Sequence, residues 1–590
     1  MSDNGEELCM SWRIKYREWI TYKELDKTLK EELSACEEPE LEERFTWDLA
    51  FGTGGLRGKL GAGTNRMNVY TVARATRGFA AYLLKTAEKP SCAIAYDSRN
   101  MSGTFARLTA CELAEKGVKV YLYQRITPTP MLSYAVRYYG CNGGIVITAS
   151  HNPGVYNGYK VYGPDGCQLT VDGAKKVADY MEKEPYFMEK RSGYSGGSGY
   201  NEPDHMDSVF ACHLFEKRIE LIGREVEDSY QWAVRKACTV MEPVPLKVVY
   251  SPLNGTGNIP VRTVLKKYPN IEVFTVKEQE LPDGNFPTCP YPNPEIETAM
   301  ELAAREAEEK QADFFLATDP DCDRVGVGVV MEDGKKRLFT GNEIGVLLFD
   351  YICGWRTRMI RMPQQPVAVK TIVTTPMAED IAKNYQVELR NVLTGFKFIG
   401  EQIGFLEEKK EEERFIFGFE ESCGYLSGTY VRDKDGVNGV ILVCEMAAFH
   451  KSRKKNLLQA LEELYFAYGH YENRLLSYEY AGIGVMDKFM EDVRKSDQVF
   501  PGAIIKDRTD YLMDHTGLPK SNVVSLILED GSRIIIRPSG TEPKLKLYLM
   551  VKRPNREEAA LAIKELVSKC DLWVENDTNF DHRSCREGLV

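Results

Sequence analysis

The sequence predicts a multidomain α/β protein, with three similar α/β units followed by a smaller α+β unit. Three observations lead there. A chain of 590 residues exceeds what one hydrophobic core can organise, and the usual domain size divides it into about four units. Apolar strand signals alternate with helical ones through most of its length, the signature of crossover-connected α/β units. Paired strand ends also recur. The strands in SCAIAYDSR, LKVVYSPLNGTG and VAVKTIVTT are followed, about 50 to 70 residues later, by GGIVITASHNP, DFFLATDPDCDR and RFIFGFEESCGY. Three copies of one unit explain that recurrence, although any α/β protein ends apolar strands in polar loops.

Composition restricts the function classes. Hydrophobic residues make up 43% and charged residues 28%, the balance of a folded globular chain. The N-terminal MSDNGEELCMSW lacks a basic region followed by an apolar stretch, so no secretory signal is expected, and no segment approaches a membrane-spanning length. The 15 cysteines are scattered singly, without CxxC or zinc-ligand spacing, which fits a reducing cytoplasm better than a disulfide framework. A net charge of −11 with no long basic run argues against a phosphate-tracking nucleic-acid surface. Any anionic ligand must meet individually placed cations.

Residues 1–47 are Glu-rich with scattered Trp, Tyr and Leu, compatible with one or two amphipathic helices forming an arm on the body. The first α/β unit spans 48–210. It holds the glycine-dense FGTGGLRGKLGAGTNRMN, a strand in CAIAYDSRN, and a helix in TFARLTACELAEKG with Phe105, Leu108 and Cys111 on one face. SGYSGGSGYNEPDH (192–205) reads as a surface linker near its end. The second unit spans 211–335 and the third 336–460, in which EEKKEEER (407–414) is a solvated face or loop. NLLQALEELYFAYG is a helix with Leu457, Leu461, Leu464 and Tyr468 at helical spacing. The last unit, 461–590, carries strands in SLILED and SRIIIRPSGTEPKLKLYLMV and a helix from Asn555, where Asn555 and Glu558 have capping-box spacing.

Chemistry concentrates at strand ends. In FFLATDPDCDRV, Asp319, Asp321 and Asp323 take alternate positions after an apolar strand; if the chain stays extended, period-two geometry aims all three carboxylates one way. Three crowded anions offering only oxygen suit Mg²⁺, and an Asx-rich turn is the plainer alternative. An EF-hand fails, since Arg324 and Val330 stand where that loop needs Gly and Glu; Cys322 disfavours an aspartyl-nucleophile phosphatase. Arg324 places a cation beside the site, suited to a phosphate bridging to a metal. IIIRPSGTEPKLKLY gathers Arg537, Ser539, Gly540 and Thr541, then Lys544 and Lys546, the close-approach glycine, hydroxyls and cations of a phosphate pocket. GFEESCGY sets Glu420 and Ser422 two apart at a strand end, aimed alike, either toward sugar hydroxyls or merely in a salt-bridged strand end. GTGGLRG is no Rossmann fingerprint, because no suitable strand and helix bracket it, and GxxxxGK[ST] is absent.

GGIVITASHNPGVYNGYK ends an apolar strand at Ser150. With Lys160 and Arg57 available in glycine-rich loops, that hydroxyl can carry a covalent phosphoryl group if a metal neutralises it. The bland alternative is a cap on a following helix.

With these motifs assembled, the chain resembles the α-D-phosphohexomutase superfamily from about Phe51 to the last strand, for TASHNP, DPDCDR, GFEES and RPSGTEPK stand in that family's order. FGTGGLRG, LTGFKFIGE and GFEES bring it nearest to the longer phosphoglucomutase branch that includes phosphopentomutase-like enzymes. The resemblance implies four domains around a deep central cleft, the first three alike. It implies Ser150 as the phosphorylated serine and, with Asp319, Asp321 and Asp323, as an Mg²⁺ ligand. Arg57, His151 and Lys160 resemble the residues that support proton transfer there, Lys160 preferred and His151 the alternative. Glu420 and Ser422 match the sugar-hydroxyl readers, Arg324 and Lys397 contact substrate, and Arg537, Ser539, Gly540 and Thr541 match the loop gripping the nonreacting phosphate. GFEESCGY departs from the GEMSGH form of phosphomannomutase-type relatives, pointing away from equal use of mannose phosphates. The Glu-rich arm lies outside the common core.

The activity so implied is interconversion of glucose 1-phosphate and glucose 6-phosphate, with Mg²⁺ as cofactor and glucose 1,6-bisphosphate as intermediate and activator. The C-terminal domain is expected to move so that the bisphosphate turns without escaping. The expected partner is a small phosphosugar, met by a cytoplasmic monomer or homodimer with no nucleic-acid or membrane partner. The rival readings are a phosphopentomutase acting on ribose or deoxyribose 1-phosphate, a phosphomannomutase, a glucose-1,6-bisphosphate synthase, and a noncatalytic phosphosugar-binding protein.

Overall fold

The computed structural model describes residues 4–52, 54–188, 203–480, 483–495, 502–513, 515–539 and 544–575; most of the expected linker at 192–205 falls outside them. The first three sheets share one plan. In the first, Lys119–Tyr123, Ser91–Tyr96 and Gly143–Ile147 lie side by side in parallel, and Tyr156–Tyr162 returns antiparallel against the last of them. The second repeats this with Ile271–Thr275, Leu246–Ser251 and Phe314–Thr318, then Val325–Val330. The third does so with Glu388–Val392, Val367–Thr371 and Phe415–Phe419, then Tyr425–Leu426. The recurrent strand ends therefore mark a true structural repeat.

The repeat also places the chemistry. In each unit the third parallel strand is buried along its whole length, which is why it reads as an unbroken apolar run. The loop leading from it into the antiparallel return holds, in turn, Ser150, the three aspartates and Glu420. Each loop reverses through one non-glycine residue in left-handed backbone: Ser150 (φ 51°), Cys322 (φ 53°) and Cys423 (φ 57°). Such residues are uncommon away from glycine and are held by their surroundings.

The fourth unit is a five-stranded antiparallel sheet ordered His470–Glu479, Lys544–Arg553, Arg533–Pro538, Val524–Leu528 and Ile505–Asp510. Helices Ile483–Lys495 and Arg556–Glu575 pack on it. The Glu558 backbone N–H donates to Asn555 Oδ1 at 2.9 Å, the cap its spacing predicted.

Two boundaries and one count differ from expectation. The first sheet takes a sixth strand, Ile219–Ile222, alongside Lys119–Tyr123, so that unit runs past 210; helix Pro203–Phe215 carries the chain back to the same sheet edge. Helix Leu457–Tyr468 belongs to the third unit, because Leu457, Ala460, Leu461 and Leu464 are buried in the core shared with Gly341–Arg358. That unit therefore ends beyond 460. The arm forms three helices, Asn4–Thr21, Lys27–Ala35 and Glu38–Phe45, since Asp26 caps the second and a proline opens the third.

One apolar core runs through the first three units, and a smaller cluster of Ile372, Val373 and Leu393 with Val523, Ile535 and Tyr548 joins the third to the fourth. Beside it Arg533 grips Glu379 with two hydrogen bonds of 2.9 and 3.1 Å. Among the described residues no helix is long and apolar enough to cross a membrane.

Glu445, on helix Gly436–Lys451, ties the second unit to the third by accepting from the Thr239 N–H at 2.8 Å and its hydroxyl at 2.6 Å. Burial pushes this carboxyl up to about 7 from its ordinary 4.5. The native protein thus keeps a proton that the unfolded chain releases. The stabilisation is full below the unfolded value and is lost as pH rises through about 7. Glu445→Gln is expected to cancel a loss of about 3 kcal/mol between roughly pH 5 and pH 8. Denaturant midpoints of both proteins at the two pH values check this, and parallel changes would refute it.

Candidate active site

Strand Gly143–Ile147 delivers Ser150 to the domain junction with the residue 3% exposed. Its N–H donates to Thr148 Oγ1 at 2.8 Å, its Oγ donates to Asp319 Oδ2 at 2.8 Å, and His151 Nδ1 lies 3.2 Å from that Oγ. Buried Arg99 fixes the loop from behind, donating to the carbonyls of Ser150 (2.6 Å), Pro153 (2.8 Å) and Tyr156 (3.0 Å) and also to that of Asn152. Asp97, 3.4 Å away and fully buried, balances the guanidinium. One cation therefore satisfies four carbonyls of a loop with no regular pairing.

No helix follows Ser150, so the capping alternative falls: the chain goes directly into Tyr156–Tyr162. Lys160 sits in that strand and Arg57 in Gly55–Lys59, which pairs antiparallel with it, so neither belongs to a glycine-rich loop. GTGGLRG concealed a strand because its glycines serve close packing. A Cβ on Gly55 would sit 1.8 Å from the Tyr159 carbonyl oxygen. Arg57 reaches over the serine loop to Asn152 Oδ1 at 3.1 Å. Burial, with Arg324 and Arg57 nearby, holds His151 well below the usual histidine range, hence neutral at pH 7.

The three aspartates come together by a turn, not by an extended strand. Phe314–Thr318 ends before Asp319, and Cys322 N–H donates back to the Asp319 carbonyl at 2.8 Å. One carboxylate oxygen from each aspartate lies within 4.8 Å of the others, and all three residues are buried. Each also has an oxygen pinned by the protein. Asp319 Oδ1 accepts from the N–H groups of Asp323 and Arg324, both at 3.0 Å. Asp321 Oδ2 accepts from Lys160 Nζ at 2.9 Å and Thr129 Oγ1 at 3.0 Å, and Asp323 Oδ2 faces Lys434 Nζ at 2.9 Å. Asp321 Oδ1 and both carboxylate oxygens of Asp323 are buried with no hydrogen-bond partner, the Lys434 contact being an ion pair. Unpaired buried carboxylate oxygens are costly, and an all-oxygen donor set oriented by surrounding hydrogen bonds fits a hard divalent cation such as Mg²⁺. Burial and mutual repulsion raise Asp319 and Asp323 above the usual carboxylate range, whereas Lys160 pulls Asp321 below it against the cost of burial.

Phe415–Phe419 likewise stops before Glu420, whose N–H donates across a tight turn to the Gly424 carbonyl at 3.0 Å. Glu420 and Ser422 are therefore turn residues, not alternate strand positions aimed alike. Burial lifts Glu420 to about 7, opposed by the charges of Lys434 and Arg324. Arg324 Nη1 donates to Glu295 Oε1 at 2.7 Å. Lys397 opens helix Phe396–Glu408 just after Gly395 (φ 116°), and burial lowers it, with Arg537 adding repulsion. Arg537 stands on strand Arg533–Pro538, opposite Lys546. Ser539 N–H donates to the Lys544 carbonyl at 2.7 Å; Gly540 and Thr541 lie outside the described residues.

Of the expected residues, Ser150, His151, Lys160 and the aspartates come together in one group, while Lys397 and Arg537 stand on the third and fourth units. Of the two expected proton carriers, His151 meets Ser150 Oγ, while the Lys160 ammonium is engaged by Asp321 and lies 3.8 Å from Asp323. Sequence reasoning missed Arg99, Thr129 and Lys434. Arg99 stands in YDSRN, at the first repeat's other strand end, and Lys434 in VRDKDG, a run of charge immediately before a helix buried from Gly436 to Ala448. The loops also brace each other, through Thr129 N–H to the Asp321 carbonyl (2.9 Å), Val325 N–H to Cys423 (3.0 Å) and Gly436 N–H to Cys322 (3.0 Å).

Four models of the phosphoglucomutase/phosphomannomutase family match the chain: α/β/α domain I at residues 48–187, domain II at 228–334, domain III at 340–468 and the C-terminal domain at 490–566. The phosphoglucomutase of Staphylococcus haemolyticus (strain JCSC1435) is 35% identical over 538 residues, covering 88% of this chain and 93% of that protein. The phosphoglucomutase of Staphylococcus aureus (strain USA300) is 34% identical over 547 residues, covering 90% and 94%. Among solved structures, a phosphoglucomutase/phosphomannomutase family protein from Burkholderia thailandensis superposes with a TM-score of 0.65 at 18% identity, covering 90% of this chain and 98% of that one. The pp63/parafusin phosphoglucomutase from Paramecium, in its open form, gives 0.65 at 18%, covering 89% and 94%.

Proposed function

The chain belongs to the phosphoglucomutase/phosphomannomutase family, and from that membership we propose that it is an isomerase interconverting α-D-glucose 1-phosphate and glucose 6-phosphate through a phosphorylated Ser150. One observation carries the proposal: a buried serine hydroxyl at a strand end, 2.8 Å from the first of three clustered carboxylates.

In the proposed cycle, the Ser150 Oγ–phosphorus bond breaks as the free sugar hydroxyl bonds to phosphorus, leaving bound glucose 1,6-bisphosphate. The sugar turns, and its other phosphate returns to Ser150. One proton leaves the sugar hydroxyl and one arrives at Ser150 Oγ. Neutral His151, within reach of that oxygen, exchanges the serine's proton. Lys160, Arg57 and Arg324 serve as placed charge around the transferring group, and Lys434 steadies Asp323. Asp319, Asp321 and Asp323, with Ser150, would hold Mg²⁺, which would supply further charge neutralisation. Glu420 and Ser422 read sugar hydroxyls. Lys397 and Arg537, with Ser539, Gly540 and Thr541, hold the phosphate that is not reacting, so that one pocket serves both orientations.

Arg537→Ala is accordingly expected to raise KM about tenfold or more, the cost of one charge-assisted phosphate contact, and to release bisphosphate into solution. Steady-state kinetics with product chromatography check both effects.

Assays with glucose 1-phosphate, mannose 1-phosphate and ribose 1-phosphate, each with Mg²⁺, test the substrate assignment. The highest kcat/KM is expected on glucose 1-phosphate. Preference for ribose 1-phosphate would make the enzyme a phosphopentomutase, and bisphosphate accumulating from an external phosphoryl donor would make it a synthase. Binding without turnover would refute catalysis.

A further inference from the structure

The N-terminal arm lies ahead of the first family domain, which begins at residue 48, yet it is bonded to the active-site framework. It grips the loop that joins strand Gly55–Lys59 to helix Val69–Thr86. At the centre of the grip is the Ala62 peptide. Glu32 Oε2 accepts from Ala62 N–H at 3.1 Å, and Arg44 Nη1 donates to the Ala62 carbonyl at 2.8 Å and to Glu32 Oε1 at 2.6 Å. Within that ring Ala62 is fully buried and Arg44 7% exposed, while the Glu32 side chain is 32% exposed.

Neighbouring bonds extend the hold. Asn65 N–H donates to the Arg44 carbonyl at 2.9 Å, and Arg66 pairs with Glu43. Glycine is required at both flanks. Gly61 (φ 142°) and Gly63 (φ 125°) lie so close to the arm that a Cβ would meet Glu32 Oε1 at 2.6 Å or the Arg44 carbonyl at 2.8 Å.

From this loop the path to the serine is short. Leu60 N–H donates to the Val155 carbonyl at 2.8 Å, and Val155 lies in the reversal between Ser150 and its return strand. Strand Gly55–Lys59 carries Arg57, whose guanidinium bonds Asn152 in the same reversal. The arm and Arg99 therefore hold the serine loop from two directions.

We propose that Glu32 and Arg44, by clasping both polar groups of the Ala62 peptide, set the position of the Ser150 loop and so act as positioning residues for phosphoryl transfer. The catalytic half of this inference rests on the function proposed above; the mechanical half does not. Displacing a reacting group by about 1 Å can cost up to a hundredfold in rate, so a peripheral clasp has leverage on kcat while leaving the phosphate-gripping residues untouched.

The test uses the full chain with Glu32→Gln, Arg44→Met and the conservative Arg44→Lys, and with Tyr22→Leu as a reference. Tyr22 stacks on Phe187 at 4.1 Å, holding the arm by aromatic packing in place of a bond to the Ala62 peptide. Amide hydrogen exchange without substrate should speed at residues 148–156 in Glu32→Gln and Arg44→Met, with kcat down about tenfold or more and KM within about twofold. Arg44→Lys should be intermediate. Tyr22→Leu should lower the melting temperature with neither effect. Unchanged exchange at 148–156 would overturn the inference, as would equal kcat loss in Tyr22→Leu. Altered exchange in an enzyme lacking mutase activity would sink the function proposal and spare the clasp. If Arg44→Met fails to fold, Glu32→Gln and Arg44→Lys decide the matter.

Discussion

Ser150→Ala is expected to lower kcat for glucose 1-phosphate isomerisation by about four orders of magnitude or more, as loss of a covalent nucleophile does elsewhere. The fold should survive the change. Arg99 holds the loop by its carbonyls, not by the serine side chain, and alanine at φ 51° suffers the same backbone strain as serine. The hydroxyl's bond to Asp319 is the main loss, worth about 1.5–3 kcal/mol for a hydrogen bond to a charged group. A melting temperature near that of the wild type, together with near-complete loss of turnover, is the expected pairing. Turnover within tenfold of wild type would remove Ser150 from the chemistry.

Asp323→Asn is expected to lower kcat by roughly a thousandfold, the scale of losing one charge-stabilising group around a transferring phosphoryl. Its effect on folding without metal should be small, because two effects oppose each other. Relief of repulsion among three buried carboxylates stabilises the variant, while Lys434 loses its partner at 2.9 Å. Asp433, 3.7 Å away, remains to balance that ammonium. The response to Mg²⁺ separates wild type from variant. At 100 times its dissociation constant a ligand stabilises the folded state by about 2.7 kcal/mol, and Asp323→Asn should forfeit most of this. Differential scanning calorimetry with and without Mg²⁺ measures it; an undiminished shift would show that the aspartates do not bind the ion.

Much of the fold was legible because buried parallel strands cannot hide. VAVKT and FIFGF read as apolar runs, and their ends recur at the spacing of one α/β unit. The motif loops were legible too, because phosphate and metal chemistry needs rare residue combinations. What escaped was geometry that depends on contacts distant in sequence. Strand Gly55–Lys59 resembled a loop because glycines required by close packing look like glycines required by flexibility. The extended geometry expected for the aspartates, and for Glu420 with Ser422, failed because those loops reverse through Cys322 and Cys423 in left-handed backbone, a conformation that nothing in those residue types announces. Arg99 and Lys434 each stood in view, but an arginine aimed at carbonyls and a lysine aimed at an aspartate from another domain are defined only once the sheets have assembled. The choice between Lys160 and His151 as proton carrier depends likewise on reach, which is a property of the fold and not of residue type.

The most direct measurement is peptide mass spectrometry of the purified enzyme after brief incubation with Mg²⁺ and glucose 1-phosphate carrying ¹⁸O-labelled phosphate. Labelled phosphate on the peptide containing Ser150, lost again when unlabelled substrate is added and absent from Ser150→Ala, is the predicted result. Full mutase activity in a preparation whose Ser150 never acquires the label would contradict a serine that carries the phosphoryl group.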